Sequence, residues 1–182
     1  MSDIVDKATR SRMMSSIRAK DTKPEMLVRR FLHAAGFRYR LHCRDLPGKP
    51  DLVLRKYNLV IFVHGCFWHR HKGCHYAYMP STNSEKWKQK LEGNRKRDEI
   101  QKQELLDSGW RVLVIWECGL KHSESILDKI IPVIKSEARY TELPETPPRA
   151  TRAFRILCQL ESVKFQLPCP AVLQNVLPAG RA

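Results

Sequence analysis

Leu59-Val60-Ile61-Phe62-Val63 is a continuous apolar run, and His64-Gly65-Cys66-Phe67-Trp68-His69-Arg70-His71-Lys72-Gly73-Cys74-His75 follows it without a break. An unalternating run of β-branched and aromatic residues marks a strand buried on both faces. Trp110-Arg111-Val112-Leu113-Val114-Ile115-Trp116 reads as a second buried strand. Between the two runs, Thr82-Asn83-Ser84-Glu85 has the pattern of a capping box. It opens a long charged helix that continues through Leu106 and is closed by Gly109.

Upstream, Asp21-Thr22-Lys23-Pro24-Glu25 is a helix start, with a capping Asp or Thr, a proline in the first turn and an acid near the positive helix end. Leu27, Phe31 and Ala34 (with Val28, Leu32 and Ala35) give the helical stripe, and Gly36 ends it. Phe37 to Leu41 alternates like a strand, Leu46 to Pro50 is a turn, and Asp51 to Leu54 is extended again. Downstream, His122 to Ser136 reads as a helix on Ile126, Ile130, Ile131 and Ile134, which Pro132 should kink or shorten. The order helix–strand–strand–strand–helix–strand–helix predicts an α/β fold around a mixed sheet. From Thr141 onward Pro144, Pro147, Pro148, Pro168, Pro170 and Pro178 punctuate a stretch without periodicity, apart from a short helix expected at 154–160. The expected organisation is an N-terminal arm at 1–20, a main domain at 21–140 and a partly ordered extension at 141–182.

Charge narrows the class of partner. Lys and Arg number 33 against 19 Asp and Glu, a formal net charge of +14. That excess favours a polyanion, because each neutralised phosphate releases condensed counterions. No apolar run spans a bilayer, so nucleic acid is preferred to a membrane surface. Met1 to Ile17 lacks a hydrophobic signal core, which points to an intracellular protein in which six cysteines read as metal ligands or core thiols. Arg10, Arg12, Arg18 and Lys20, interrupted by Met13, Met14 and Ile17, form either a frayed arm or short docked helix, or an arm along DNA whose apolar side chains wedge between bases.

Cys66, His71 and Cys74 have four and two residues between successive members, which suits a loop wrapped around one metal. Cys118 can add a third thiolate from the end of the second buried strand, completing the closed Cys₃His tetrahedron of a structural zinc site. His69 or His75 in place of His71, and a merely apolar role for Cys118, stay open on spacing alone. Cys43, Cys158 and Cys169 have no such neighbours and read as ordinary residues.

Pro50-Asp51 begins one strand and Phe62-Val63-His64 ends the next. In many DNA nucleases a Pro-Asp is followed by Glu-x-Lys on the neighbouring strand, and the carboxylates hold Mg²⁺. Phe62 and His64 stand about where the second acid and the lysine would be. A histidine can replace the lysine at a phosphate, and Glu25 can supply the missing acid through water. Phe67 and Trp68 read either as a lid on the zinc site or as base-stacking rings. Trp87 begins a basic helix containing Lys86, Lys88, Lys90, Arg95, Lys96 and Arg97.

Asp6-Lys7-Ala8-Thr9-Arg10-Ser11, Leu46-Pro47-Gly48-Lys49-Pro50-Asp51, His64-Gly65-Cys66-Phe67-Trp68-His69 and Gly109-Trp110-Arg111-Val112-Leu113 together resemble the bacterial very short patch repair endonucleases, in order over about residues 3–135. The resemblance implies a restriction-endonuclease-like fold of the PD-(D/E)xK type, with a mixed central sheet flanked by helices and a structural zinc site. It implies a nick 5′ to the thymine of a T·G mismatch left by deamination of 5-methylcytosine. By position, Asp51 would bind Mg²⁺ with Glu25 assisting through water. His69 would be the general base, oriented by Asp98, and His64 would serve the phosphate and its water. Cys66, His71, Cys74 and Cys118 would hold zinc. Phe67, Trp68 and Trp87 would intercalate from the major groove, Met14 and Ile17 would press from the minor groove, and Lys90 and Asn94 would contact DNA. Val63 stands where threonine is expected, and Gly73 is an extra residue between His71 and Cys74. The resemblance further implies a monomer at the bacterial nucleoid in the cytoplasm, acting on duplex DNA beside other mismatch-repair proteins. The alternatives are a zinc-stabilised mismatch-binding protein that does not cut, and a restriction-type nuclease acting on matched duplex.

Overall fold

Alternation inside the two buried runs decides which layer each residue enters. In the computed structural model, which describes residues 6–15, 20–122 and 126–148, strand β3 (Leu59–His64) lies parallel to β4 (Arg111–Trp116), from Leu59 opposite Arg111 to His64 opposite Trp116. Leu59, Ile61, Leu113 and Ile115 enter one core with Val28 and Leu32 of α2 (Lys23–Ala34) and Ile126, Ile130 and Ile134 of α5 (Ile126–Lys135). Val60, Val112, Val114 and Trp116 enter the other, with Leu105 of α3 (Ser84–Asp107) and the thiols of Cys66, Cys74 and Cys118. Helices cover both faces, so neither strand needs polar residues in alternation. Each fully buried Leu or Ile contributes about 1.5–3 kcal/mol.

The sheet order is β1-β2-β3-β4-β5, with β1 (Arg40–Leu41) and β2 (Leu52–Leu54) antiparallel and β5 (Tyr140–Leu143) parallel to β4. The mixed sheet flanked by helices is the expected architecture. Short helices α1 (Lys7–Ser15) and α4 (Glu117–His122) complete the described elements. A 3₁₀ turn at Arg55–Tyr57, ended by Asn58 at φ +45°, folds β2 back on β3. The register Leu52 opposite Ile61 then sets Asp51 beside the end of β3. Gly48, at φ +72°, lets the preceding turn close: a Cβ there would stand 3.1 Å from the Phe62 ring. No described helix is long and apolar enough to cross a membrane.

Helix α2 starts as its residues require. The Glu25 amide donates to the Thr22 hydroxyl at 3.4 Å, and the Thr22 amide donates to the Glu25 carboxylate at 3.4 Å, a reciprocal capping box. The expected box at 82–85 does not form. Asn83 caps α3 with a left-handed backbone (φ +54°) and no side-chain bond, whereas a hydroxyl cap needs an extended residue to reach the third amide. Of the strand expected at 37–41 only Arg40–Leu41 pairs, because β2 offers just Val53 and Leu52 opposite. Phe37 instead turns into the core against the Tyr57 ring at 5.5 Å.

Beyond β4, the helix expected at 122–136 is found as α5 from Ile126 to Lys135, and the short α4 ahead of it, Glu117–His122, was not expected. Pro132 lies inside α5 on its exposed face, where the Asp128 carbonyl that loses its donor meets solvent. Strand β5 was not assigned from sequence. It is short, and only Leu143 of its four residues is buried. The expectations for Ile17, for 154–160, and for Cys158 and Cys169 fall outside the described residues, as does the side chain of Met14 on α1.

Candidate active site and thiolate cluster

The antiparallel β2–β3 pair builds the first part of the site. The Asp51 Oδ2 accepts the Val63 amide at 2.7 Å, fixing the carboxylate one residue before His64 on the neighbouring strand. Burial, and then the negative charge of nearby Glu25, push the Asp51 carboxyl up to about 6 despite that hydrogen bond. Glu25, from the first turn of α2, is buried and pairs with Arg29. Arg29 also reaches Asp21 at 2.6 Å and the His42 Nε2 at 2.8 Å, and that same nitrogen lies 3.5 Å from Glu25. The Asp51 carboxylate, close enough to Glu25 to feel its charge, offers the hard oxygen donors that a divalent cation takes. Glu25 was singled out from the sequence, and its proximity to Asp51 is felt in the carboxyl's raised value. Arg29 and His42 were missed, because a charged residue on a helix and a loop histidine carry no local signal.

At the end of β3 the His64 and His69 rings stack at 3.8 Å and 7°. The His69 Nδ1 donates to Asp98 of α3 at 2.6 Å, the arrangement that leaves Nε2 as the ring's proton acceptor. Burial, and then repulsion from His69, hold the His64 imidazole well below the usual histidine value, so it is neutral. The donor atoms of His64, His69 and Asp98 lie within 4.8 Å of one another, as do those of Asp21, Glu25 and His42.

The loop after β3 brings Cys66, His71 and Cys74 to Cys118 at the start of α4. All four are buried, and their donor atoms lie within 4.8 Å of one another. The His71 Nδ1 stands 3.6 Å from the Cys66 sulfur and 3.4 Å from that of Cys118. The N–S edge of a zinc tetrahedron with ordinary bond lengths is about 3.6 Å, so the cluster has the dimensions of a Cys₃His site. Without an ion, hydrogen bonding to Cys118 and Cys74, together with burial, pushes the Cys66 thiol up, while bonds from Cys118 and Cys66 pull the Cys74 thiolate down. Of the three histidines open to choice, His71 joins the thiols. His69 is taken by Asp98, and the His75 ring lies 4.0 Å from that of Tyr76. The Cys66 amide donates to Glu117 at 3.2 Å, a loop anchor not anticipated from sequence.

Phe67, Trp68 and Trp87 meet in an aromatic cluster, with ring centroids 5.1 Å (Phe67–Trp68), 5.4 Å (Phe67–Trp87) and 6.0 Å (Trp68–Trp87) apart. Lys90 lies over Trp68 at 5.4 Å and over Trp87 at 5.6 Å, and Asn94 donates to the Trp68 carbonyl at 3.2 Å. Tyr78, 62% exposed, stacks on Phe67 at 5.4 Å and was not anticipated. The aromatic edge and the basic α3 thus adjoin the histidine pair through Asn94 and Asp98.

Known proteins carry the same arrangement of sequence. The family model for DNA mismatch endonuclease Vsr matches residues 2–75. The chain is 46% identical over 120 residues to the type II nicking enzyme V.XorIIP of Xanthomonas oryzae, covering 66% of this chain and 88% of that protein. The chain belongs to the Vsr family. It is 42% identical over 135 residues to the type II nicking enzyme V.NmeAIP of Neisseria meningitidis (74% of this chain, 96% of that one). To DNA mismatch endonuclease Vsr of Escherichia coli it is 41% identical over 131 residues (72% and 83%). In this Vsr family member both the histidine pair and the thiolate loop fall inside the stretch that the family model covers.

Proposed function

We propose that this chain is a Mg²⁺-dependent endonuclease that nicks duplex DNA 5′ to the thymine of a T·G mismatch, starting very short patch repair. The observation that carries this reading is the pairing of Asp51 with the Val63 amide beside an Asp98-held histidine pair. Relatives named as a mismatch endonuclease and as nicking enzymes support it. On this reading the site is a reduced PD-(D/E)xK centre, with one strand carboxylate and with Phe62 and His64 where the second acid and the lysine would stand.

Asp51, and Glu25 through water, would hold the magnesium. When bound, that ion supplies charge neutralisation at the phosphate and a more acidic water. His69 takes a proton from the attacking water at Nε2 while Asp98 steadies its Nδ1–H and the positive charge that develops. His64, kept neutral, hydrogen-bonds the phosphate or its water without adding a second cation beside His69. Val63 in place of threonine is tolerated because only its backbone is engaged. Cys66, His71, Cys74 and Cys118 would hold a structural zinc that fixes the loop.

Phe67, Trp68 and Trp87 enter beside the mismatch from the major groove, with Lys90 and Asn94 on DNA and Met14 and Ile17 pressing from the minor groove. Residues 1–20 serve as the DNA arm, 21–140 as the nuclease and 141–182 as an extension. The enzyme acts as a monomer in the bacterial cytoplasm, at the nucleoid, beside other mismatch-repair proteins. The test is a strand-labelled nicking assay on one duplex bearing T·G, T·A or C·G at a single position, across varied flanks. A magnesium-dependent cut of the T-containing strand in the T·G duplex alone is expected. Binding without cutting, or equal cutting of matched duplex, would refute the proposal.

A further inference from the structure

Between the thiolate cluster and the histidine pair lies one side chain that belongs to neither. Trp116, the last residue of β4, is buried in the sheet face that also carries the cysteines. Its ring stacks on the His71 imidazole at 4.1 Å and 3°. It also presents an edge-on contact to His64 at 5.3 Å and 70°. His64 in turn stacks on His69, so the rings form one packed series from His71 to the Asp98-bound histidine. The parallel register makes this unavoidable, since His64 and Trp116 are paired residues at the ends of β3 and β4. The indole is not left to packing alone: its Nε1–H donates to the Glu142 carboxylate of β5 at 2.7 Å, and the Tyr140 hydroxyl contacts the other oxygen of the same carboxylate.

We propose that Trp116 is a positioning residue that ties the Cys66–His71–Cys74–Cys118 cluster to the His64–His69 pair, with Glu142 as its clamp. A rigid indole locked between two imidazoles fixes the tilt of His64, and His64 fixes the face of His69 that points at the phosphate. Positional error of this kind is felt in the chemical step far more than in binding, because a misplacement of about 1 Å can lower a rate on the order of 10²-fold. The inference rests on the proposed nicking activity.

The experiment therefore begins with the wild-type protein on the T·G duplex, where failure to nick sinks the functional reading and not this one alone. In single-turnover assays, Trp116→Leu should lower the nicking rate about 10–100-fold while the Kd for the mismatched duplex stays within about twofold. Trp116→Phe, which keeps the ring stack but loses the N–H to Glu142, should fall only about three- to tenfold. Glu142→Leu should lose about three- to tenfold, and Glu142→Gln, which still accepts the indole N–H, should restore it. Metal content per chain and, after cobalt exchange, the thiolate-to-metal absorption should match wild type in all four. A wild-type rate in Trp116→Leu, or a rate loss equal to its loss of bound metal, overturns the proposal. If Trp116→Leu does not fold, the Glu142 pair decides: equal rates in Glu142→Leu and wild type overturn it.

Discussion

Asp51→Asn should make the magnesium-free protein more stable and abolish its nicking. Burial and the nearby Glu25 charge raise the Asp51 carboxyl from an ordinary aspartate's 3.8 to about 6. A carboxyl whose folded value exceeds its unfolded one keeps its proton longer in the folded state, so stability on its account falls as pH rises from about 4 to about 6 and stays low above. Each pH unit of displacement corresponds to about 1.4 kcal/mol, so the ionised side chain costs the fold about 3 kcal/mol at pH 8. Asparagine keeps an oxygen for the Val63 amide, which Asp51 now accepts at 2.7 Å, and carries no charge. For a chain of this length 1 kcal/mol moves Tm by about 2–4 °C, so the variant should melt up to about 10 °C higher at pH 8. Below pH 4 the two proteins should coincide. Added magnesium should raise the wild-type Tm and the variant's much less, because the variant lacks the Asp51 carboxylate. Thermal melts from pH 4 to 8, on zinc-loaded protein dialysed free of magnesium, measure all of this. A variant that melts at or below wild type at pH 8, or a gap that persists unchanged at pH 4, would refute the reasoning.

Asp98→Asn should slow nicking by about 10–10³-fold with little change in duplex affinity, because the asparagine no longer stabilises the imidazolium at His69; single-turnover rates and fluorescence anisotropy separate the two effects. His69→Ala should lose about 10²–10⁴-fold, and pairing it with Asp98→Asn should add almost nothing further. Cys118→Ser should reduce bound zinc well below one ion per chain by mass spectrometry and lower Tm, since the cluster is buried and loses a thiolate. Trp87→Ala should weaken binding to the T·G duplex by about 1–3 kcal/mol and binding to matched duplex by much less, as measured by competition titration.

The buried strands were legible because their composition is determined by where they lie. Leu59–Val63 and Val112–Trp116 are apolar at every step, which only a strand covered on both faces can afford. The buried Cys and His cluster was legible for a different reason: Cys and His at short spacing read as donors around one point. What escaped was set by tertiary contact. Arg29 and His42 join Glu25 only once α2 packs beside the β1–β2 turn, and nothing in their own neighbourhoods foretells it. Asn83 took a left-handed backbone that dissolved a plausible capping box, a backbone state the local sequence does not announce. Strand β5 escaped because its burial is limited to Leu143, so it carried no periodic signal.

Because β3 and β4 run parallel, both finish at the same end of the sheet, where Asp51, His64 and the loop carrying His69 and the thiolate cluster lie. The opposite end, with the turn at Tyr57–Asn58 and the α3–β4 junction at Gly109, carries none of these residues. Insertions, affinity tags or fluorophores placed at that far end would therefore leave the cutting end untouched. A label at the α3–β4 junction, about the length of β4 away from His64, offers a reporter for DNA engagement that does not alter the engagement it reports.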